Sequence, residues 1–387
     1  MYPALAVVSV IERRAANVIS SSDLGCEKSR DANNEISRFA RNDNLQFLYL
    51  GRANSVEERL AQRAQIPFEA IETGQVRGMA PWIVARSLWR MYRSVGDVRA
   101  LVRRFQPDAI FVTGGYVSAP VIWAGAAEKI PSVIYLPDLE PGWAIRVTAR
   151  WATRVAVSFR EVSRHFAPGK AVVTGYPVRE AFFTTDQKRA RAKFQLDLNT
   201  RTLAIFGGSS GAHHVNQAVV ANLVELTRLA QVIHLTGRSD ETWVADQVAD
   251  LPADVRARVR VFGYLDDDLP DALAAADLVI ARAGAATLGE FPALGLPAIL
   301  APYPYSGKHQ ERNADFLVAR GAAIKVDDAA LQRDLIPTIQ KIFDAPEQLK
   351  RMRDAMRALA NPDAAANIAK LLAELAMRNS QFAGAQV

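Results

Sequence analysis

At 387 residues, half of them hydrophobic, the chain is long enough for two or three domains with sizeable cores. Lys plus Arg number 47 against 41 Asp plus Glu, a net charge of +6 that favours anionic partners such as nucleotides, lipid headgroups or nucleic acid. The single cysteine, Cys26, excludes an internal disulfide framework and a cysteine-clustered metal site, and suits a reducing compartment.

The opening "MYPALAVVSVIERR" reads as a helix, with Pro3 at its first turn and apolar residues at helical spacing. Residues 15–44 follow, polar and without periodicity, and read as an inserted loop carrying Cys26. Strand-like runs then alternate with helical stretches: 45–51, 109–115, 132–138, 154–159 and 171–177, then 202–211, 231–237, 258–264, 278–284 and 297–304. Such alternation specifies parallel sheets covered by helices, and two groups of five predict two Rossmann-like halves divided near residue 180. The expected organisation is an N-terminal domain 1–180, a C-terminal domain 181–345, and helices with a frayed tail over 346–387. No apolar run reaches the roughly 18 residues that span a bilayer, and the start lacks the basic-then-apolar signature of a signal peptide, so a cytoplasmic protein is expected.

In the first half, residues 80–105 interleave Trp82, Ile83, Trp89 and other apolar residues with Arg86, Arg90 and Arg93. The pattern suits a helix in a membrane interface, or one packed on a sheet with its arginines in water. "VTGGYVSAP" (112–120) is a glycine turn after a strand. The sharpest local signal is "FGGSSGAHHVNQAV" (206–219), where Gly207, Gly208 and Gly211 permit a tight turn and Ser209, Ser210 and the helix-start amides offer donors to a phosphate. A plain strand-to-helix turn is the competing reading. "ARAGAATLGE" (281–290) again places glycine and small residues where a strand meets a helix. Glu290 there could accept from a ribose diol, or serve the helix dipole. "YSGKHQERNADF" (305–316) puts His309, Gln310 and Asn313 on a loop, suited to sugar hydroxyls or simply to solvent. The five histidines show no metal-binding spacing, and no metal or cofactor is expected.

These motifs, with "VTGYPVR" (173–179) and "KHQERNA" (308–314), in this order and spacing, resemble the MurG-type N-acetylglucosaminyltransferases over nearly the whole chain except 15–44. The resemblance implies a GT-B fold: α/β, two Rossmann-like domains with parallel sheets facing across a cleft. It implies an inverting transfer of GlcNAc from UDP-GlcNAc to an undecaprenyl-pyrophosphoryl muramoyl-peptide, hence roles in peptidoglycan synthesis, cell shape, cell division and the cell cycle. It implies a peripheral protein on the cytoplasmic face of the cell membrane, held to the anionic leaflet through Trp82, Ile83, Arg86, Trp89 and Arg90, and no nucleic-acid partner. Carried over by motif, Ser209 and Ser210 meet the donor pyrophosphate, Leu265 borders the uracil, and Gly284, Ala285, Ala286, Thr287, Leu288 and Gly289 line the nucleotide. Glu290 binds the ribose, His309 and Gln310 hold the sugar, and Arg179 helps to close the donor site. Gly114, Gly115 and Tyr116 face the acceptor pyrophosphate.

Two departures stand out. Family members commonly have Glu-Gln-Asn where this chain has Leu136, Pro137 and Asp138. The family's first strand, its Gly-Gly-Thr-Gly-Gly-His loop and that histidine would precede Met1, so the resemblance implies an N-terminally truncated member with one sheet position unpaired. Asp138 is then the candidate for the missing base. Alternatives are a catalytically impaired nucleotide-sugar-binding remnant, a glycolipid glycosyltransferase and a UDP-GlcNAc epimerase, separated by turnover with lipid-linked acceptor as against UDP-GlcNAc alone.

Overall fold

The computed structural model describes residues 3–12, 45–71, 81–114, 117–208, 211–305 and 308–384, with 81–92 and 380–384 described by backbone alone. The insert 15–44 with Cys26, and Gly115, Tyr116, Ser209 and Ser210, lie outside these residues. So do the side chains of Trp82, Ile83, Arg86, Trp89 and Arg90.

Two compact units emerge: Met1–Pro177 with Asp363–Val387, and Val178–Pro362. In the first, residues 3–12 form the expected helix, and Ala6 and Val7 are buried with Val133, Tyr135 and Ile368. Strands β1 (Tyr49–Gly51) and β2 (Phe68–Ala70) pair in parallel. Between them, helix Val56–Arg63 is N-capped by Ser55: the Glu58 amide donates to Ser55 Oγ at 3.2 Å, and the Asn54 amide donates to the Glu58 carboxylate at 2.6 Å. Helix Pro81–Phe105 leads to a second parallel sheet, β3 (Ile110–Val112), β4 (Ser132–Leu136), β5 (Arg154–Val157) and β6 (Ala171–Val173), in that order. All five residues of β4 are buried, as a parallel strand covered on both faces requires.

The second unit holds β7 (Thr202–Phe206), β8 (Gln231–Leu235), β9 (Val259–Phe262), β10 (Leu278–Ala281), β11 (Ala298–Leu300) and β12 (Ala323–Lys325), all parallel. The spatial order is β12-β11-β10-β7-β8-β9, a doubly wound sheet whose order reverses between β7 and β10. Its core joins β7, β8 and β10 to helices on either face through Leu203, Ile205, Val232 and Ile280, all fully buried.

The structure departs from the sequence reading in its strands and at its C-terminal end. The described residues hold six strands in each half, because β2 and β12, three residues each and partly exposed, carry too little hydrophobic pattern to be seen. The segment 346–387 divides: helix Pro346–Arg357 stays with the second unit, whereas helix Ala364–Gly384 returns to the first. There Ile368 and Ala369 enter the core, and the Asn367 side-chain amide donates to Thr174 O at 3.1 Å. The backbone of that helix runs to Gly384, where the sequence reading expected a frayed tail.

Candidate active site

In a doubly wound sheet the carboxyl ends of the two strands at the order reversal define a crevice. Here these are β7 and β10, in register Phe206 to Ala281, with β11 beside them. The chain therefore leaves the sheet side by side at Gly207, Arg282 and Ala301.

The first of these is shaped by its glycines. A Cβ on Gly207 would lie 2.6 Å from Ala212 N, and one on Gly211 would lie 2.5 Å from Thr236 O, with φ of +76° besides. Gly208 has φ of +86°, and the Gly211 amide donates to Gly208 O at 3.0 Å. Helix His213–Val220 follows, and no side chain caps its start, so its first amides remain available to an anion.

Behind this loop lies a buried polar network of which the sequence reading named only the "HHVNQ" residues. The Asn216 amide donates to Thr236 O at 2.8 Å and to Asp240 Oδ2 at 2.7 Å, and Asp240 Oδ2 also lies 3.0 Å from His213 Nδ1. His234 Nε2 is 3.0 Å from Asn216 Oδ1. Burial lowers the His234 pKa to about 3, so the ring is neutral, and it must donate from Nε2 because Asn216 Oδ1 can only accept. A second network starts from His214, whose Nδ1 lies 3.0 Å from Asp328 Oδ2. Asp328 pairs with Arg282, which donates to Ala301 O at 2.9 Å. These contacts tie the helix after β7 to the ends of β10 and β11.

The loop after β10 is a 3-10 turn, Ala285–Leu288, capped by Gly284, and Thr287 Oγ1 donates to Gly284 O at 2.7 Å. Gly284, Ala285 and Ala286 are half-buried, and Thr287, Leu288 and Gly289 are buried. Glu290 is the first residue of helix Glu290–Leu294. It is buried, Oε2 has no hydrogen-bond partner, and burial pushes its pKa up to about 7 against the opposing pull of Arg179. Arg179 Nη1 donates to Asp266 O at 3.0 Å, next to half-buried Leu265, and its guanidinium lies 5.4 Å from the Phe182 ring centre. Thus Arg179, Leu265 and Glu290, distant in sequence, belong to one neighbourhood.

The residues 309–313 are helical, not a loop. His309 begins helix His309–Ala319, Gln310 Oε1 accepts from the Tyr303 amide at 2.8 Å, and buried Asn313 donates to Ala283 O at 3.1 Å. Asn313 thus braces the loop after β10, while His309 and Gln310 stay half-buried beside it. Among the described residues no group of His, Cys, Asp and Glu is placed to hold a metal ion.

In the N-terminal unit, Gly114 follows β3 with φ of +91°, and its carbonyl accepts from Ser118 Oγ at 2.5 Å. Half-buried Asp138 follows the adjacent β4, so both stand at the carboxyl edge of that sheet.

Residues 202–370 match the glycosyltransferase family 28 C-terminal domain, and 36–157 the glycosyltransferase family 28 N-terminal domain. The UDP-N-acetylglucosamine--N-acetylmuramyl-(pentapeptide) pyrophosphoryl-undecaprenol N-acetylglucosamine transferase of Roseiflexus sp. (strain RS-1) is 38% identical over 98% of this chain and 93% of its own. The fold is similar to that of Acinetobacter baumannii MurG, with a TM-score of 0.68 at 23% identity over 96% of this chain and 95% of that one. A UDP-GlcNAc 2-epimerase from Neisseria meningitidis, solved bound to UDP-GlcNAc, is similar with a TM-score of 0.61 at 14% identity over 85% of this chain and all of that one. With both domain matches in order and such identity along almost the whole chain, the protein belongs to the MurG family of glycosyltransferases, family 28, and has its GT-B fold.

Proposed function

We propose that this chain transfers GlcNAc from UDP-GlcNAc to an undecaprenyl-pyrophosphoryl muramoyl-peptide, the reaction named for its 38% identical relative, and so serves cell-wall synthesis. The observation that carries the donor half is Glu290, a buried carboxyl whose Oε2 lacks a partner. A buried acceptor of this kind costs free energy until a donor arrives, and a ribose diol supplies two hydroxyls. Leu265 borders the base, Gly284 to Gly289 line the nucleotide, Arg179 closes the pocket, and His309 and Gln310 face the sugar. The loop 207–212, with Ser209 and Ser210, takes the pyrophosphate.

In this reading an acceptor hydroxyl attacks the anomeric carbon as the bond to the UDP oxygen breaks, inverting the configuration. The hydroxyl proton passes to a base, and the charge on departing UDP is met by the loop amides and the positive end of helix His213–Val220. Gly114, Gly115 and Tyr116 hold the acceptor pyrophosphate, and Asp138 is the nominated base.

The membrane contact is the helix Pro81–Phe105, whose sequence interleaves Trp82, Ile83 and Trp89 with Arg86 and Arg90. Each arginine adds about 1 kcal/mol near an anionic leaflet. No helix among the described residues is long and apolar enough to cross a bilayer, which fits a peripheral attachment at the cytoplasmic face.

The deciding experiment incubates the full chain with radiolabelled UDP-GlcNAc, with and without lipid-linked acceptor. Label in the lipid fraction supports the transferase; product from UDP-GlcNAc alone would support an epimerase; donor binding without turnover would leave a nucleotide-sugar-binding protein. Asp138→Asn should abolish whatever transfer occurs, and full activity in that variant would remove Asp138 from the mechanism.

A further inference from the structure

The chain leaves β11 as Ala301-Pro302-Tyr303-Pro304-Tyr305. Prolines on both sides stiffen this stretch, because each fixes its own φ and the residue before a proline is confined to extended backbone. Both tyrosine rings stand in water: Tyr303 is 46% exposed, and Tyr305, at 82%, is the most exposed large apolar side chain among the described residues. Single exposed rings are ordinary on protein surfaces. These two form a pair, with centroids 5.6 Å apart and planes at 68°, an edge-to-face contact.

The pair is held from beneath. The Tyr303 amide donates to Gln310 Oε1 at 2.8 Å, which ties its backbone to the start of helix His309–Ala319. The Tyr303 ring centre lies 5.4 Å from the Arg282 guanidinium, within cation–π range. Arg282 is itself fixed: it is buried, pairs with Asp328 and donates to Ala301 O at 2.9 Å, and Asp328 lies 3.0 Å from His214 Nδ1. Tyr303 therefore rests on contacts that run from the ends of β10 and β11 to the helix after β7. A ring fixed in this way loses little side-chain entropy when a ligand packs on the pair.

The place of the pair limits what that ligand can be. Tyr303 shares Gln310 with the sugar position, and Arg282 stands two residues before Gly284, where the nucleotide run begins. His309, whose buried Nδ1 has no hydrogen-bond partner, and Gln310 offer polar atoms to hydroxyls. Neither offers a surface to the C–H side of a sugar ring. A pyranose with equatorial substituents carries axial C–H bonds on its faces, and these weakly positive hydrogens suit the negative face of an aromatic ring.

We propose that Tyr305 is a specificity-determining residue whose ring packs against the C–H face of the transferred sugar, and that Tyr303 is the positioning residue that holds it there. The assignment rests on the reading of this crevice as the UDP-GlcNAc site. It adds the surface that recognises the hexosamine as a ring, beside the polar groups that recognise its hydroxyls.

The test measures binding of UDP-GlcNAc and of UDP to the full chain by calorimetry. Tyr305→Ala should weaken UDP-GlcNAc about fivefold and leave UDP unchanged. Its melting temperature should stay that of the wild type, because the side chain is exposed. Tyr305→Phe should bind both ligands as the wild type does, since the ring and not the hydroxyl makes the contact. Tyr303→Ala should reproduce the selective loss by removing the support, and Tyr303→Phe should not. Unchanged UDP-GlcNAc affinity in Tyr305→Ala would overturn the assignment. So would equal weakening of UDP, which would place the ring on the nucleotide, or a loss that Tyr305→Phe shares. Failure of the wild-type chain to bind UDP would overturn the donor reading itself and this assignment with it, so the two failures are told apart by the UDP titration.

Discussion

The glycine turns after β3 and after β7 each follow the carboxyl end of a parallel strand, yet they are held differently. At Gly211 a Cβ would press on Thr236 O at 2.5 Å, whereas at Gly114 the nearest atom would be Ile145 Cδ1 at an ordinary 3.6 Å. Behind the first stand Asn216, Asp240 and His234; behind the second the described contact is one hydroxyl, that of Ser118. Gly211 is thus held by Thr236 just past the next strand, whereas at Gly114 the constraint among the described residues is its own positive φ. A preformed loop avoids an ordering cost when an anion binds, while a loosely held one can adjust to its ligand.

The sharpest break in this contrast is Gly211→Ala. Backbone strain at positive φ and the clash with Thr236 together should cost about 3–5 kcal/mol of stability and bring UDP-GlcNAc binding below calorimetric detection. Wild-type affinity in a folded variant would show that the loop is not pinned as described.

Asn216→Leu attacks the same support from behind. Three polar groups, Thr236 O, Asp240 Oδ2 and His234 Nε2, lose a partner, and a stability loss of about 2–3 kcal/mol is expected in chemical denaturation. A loss below about 0.5 kcal/mol would mean that the network does not hold the loop.

Glu290 sharpens the comparison because its chemistry responds to pH. Its folded-state pKa, about 7, lies above its ordinary 4.5, so the folded protein holds this proton more tightly than the unfolded chain. Its contribution to stability is present below pH 4.5 and is lost as pH rises to about 7. Ribose hydroxyls favour the carboxylate, so donor affinity should rise about tenfold between pH 6 and 8. Glu290→Gln should weaken binding by about 1–3 kcal/mol and flatten both pH dependences. A variant that keeps the slope would place the titrating group elsewhere.

What the sequence made legible was what is local. Ten of the twelve strands among the described residues, the opening helix and the glycine turns are each written within a few consecutive residues. Glu290 stood out because it follows such a turn by six positions. The partners that hold the site are written far apart: Asp240 is 24 residues from Asn216, and Asp328 is 46 from Arg282. No periodicity links such pairs, and only the winding of the sheet brings them together. The return of helix Ala364–Gly384 was hidden for the same reason, since its apolar stripe shows that it packs but not against what. His309 and Asn313 looked like loop residues because a Gly-Lys pair precedes them, yet Lys308 takes φ of +71° and the helix begins at once.

The smallest effect is expected where the N-terminal loop is changed in the same way as the donor loop. Gly114→Ala meets no atom closer than 3.6 Å, so the added methyl costs only the strain of φ near +91°, about 1 kcal/mol. Donor affinity should be unchanged, because every residue assigned to the nucleotide lies in Val178–Pro362. Any kinetic change should appear with the acceptor, since the carbonyl of Gly114 sets the Ser118 hydroxyl at the start of helix Ser118–Ala127. Side-by-side melting curves and donor titrations of Gly114→Ala and Gly211→Ala measure the contrast directly. Equal losses in the two variants would mean that both turns are fixed by backbone dihedral angles alone, and the distinction between a preformed and an adjustable loop would fall.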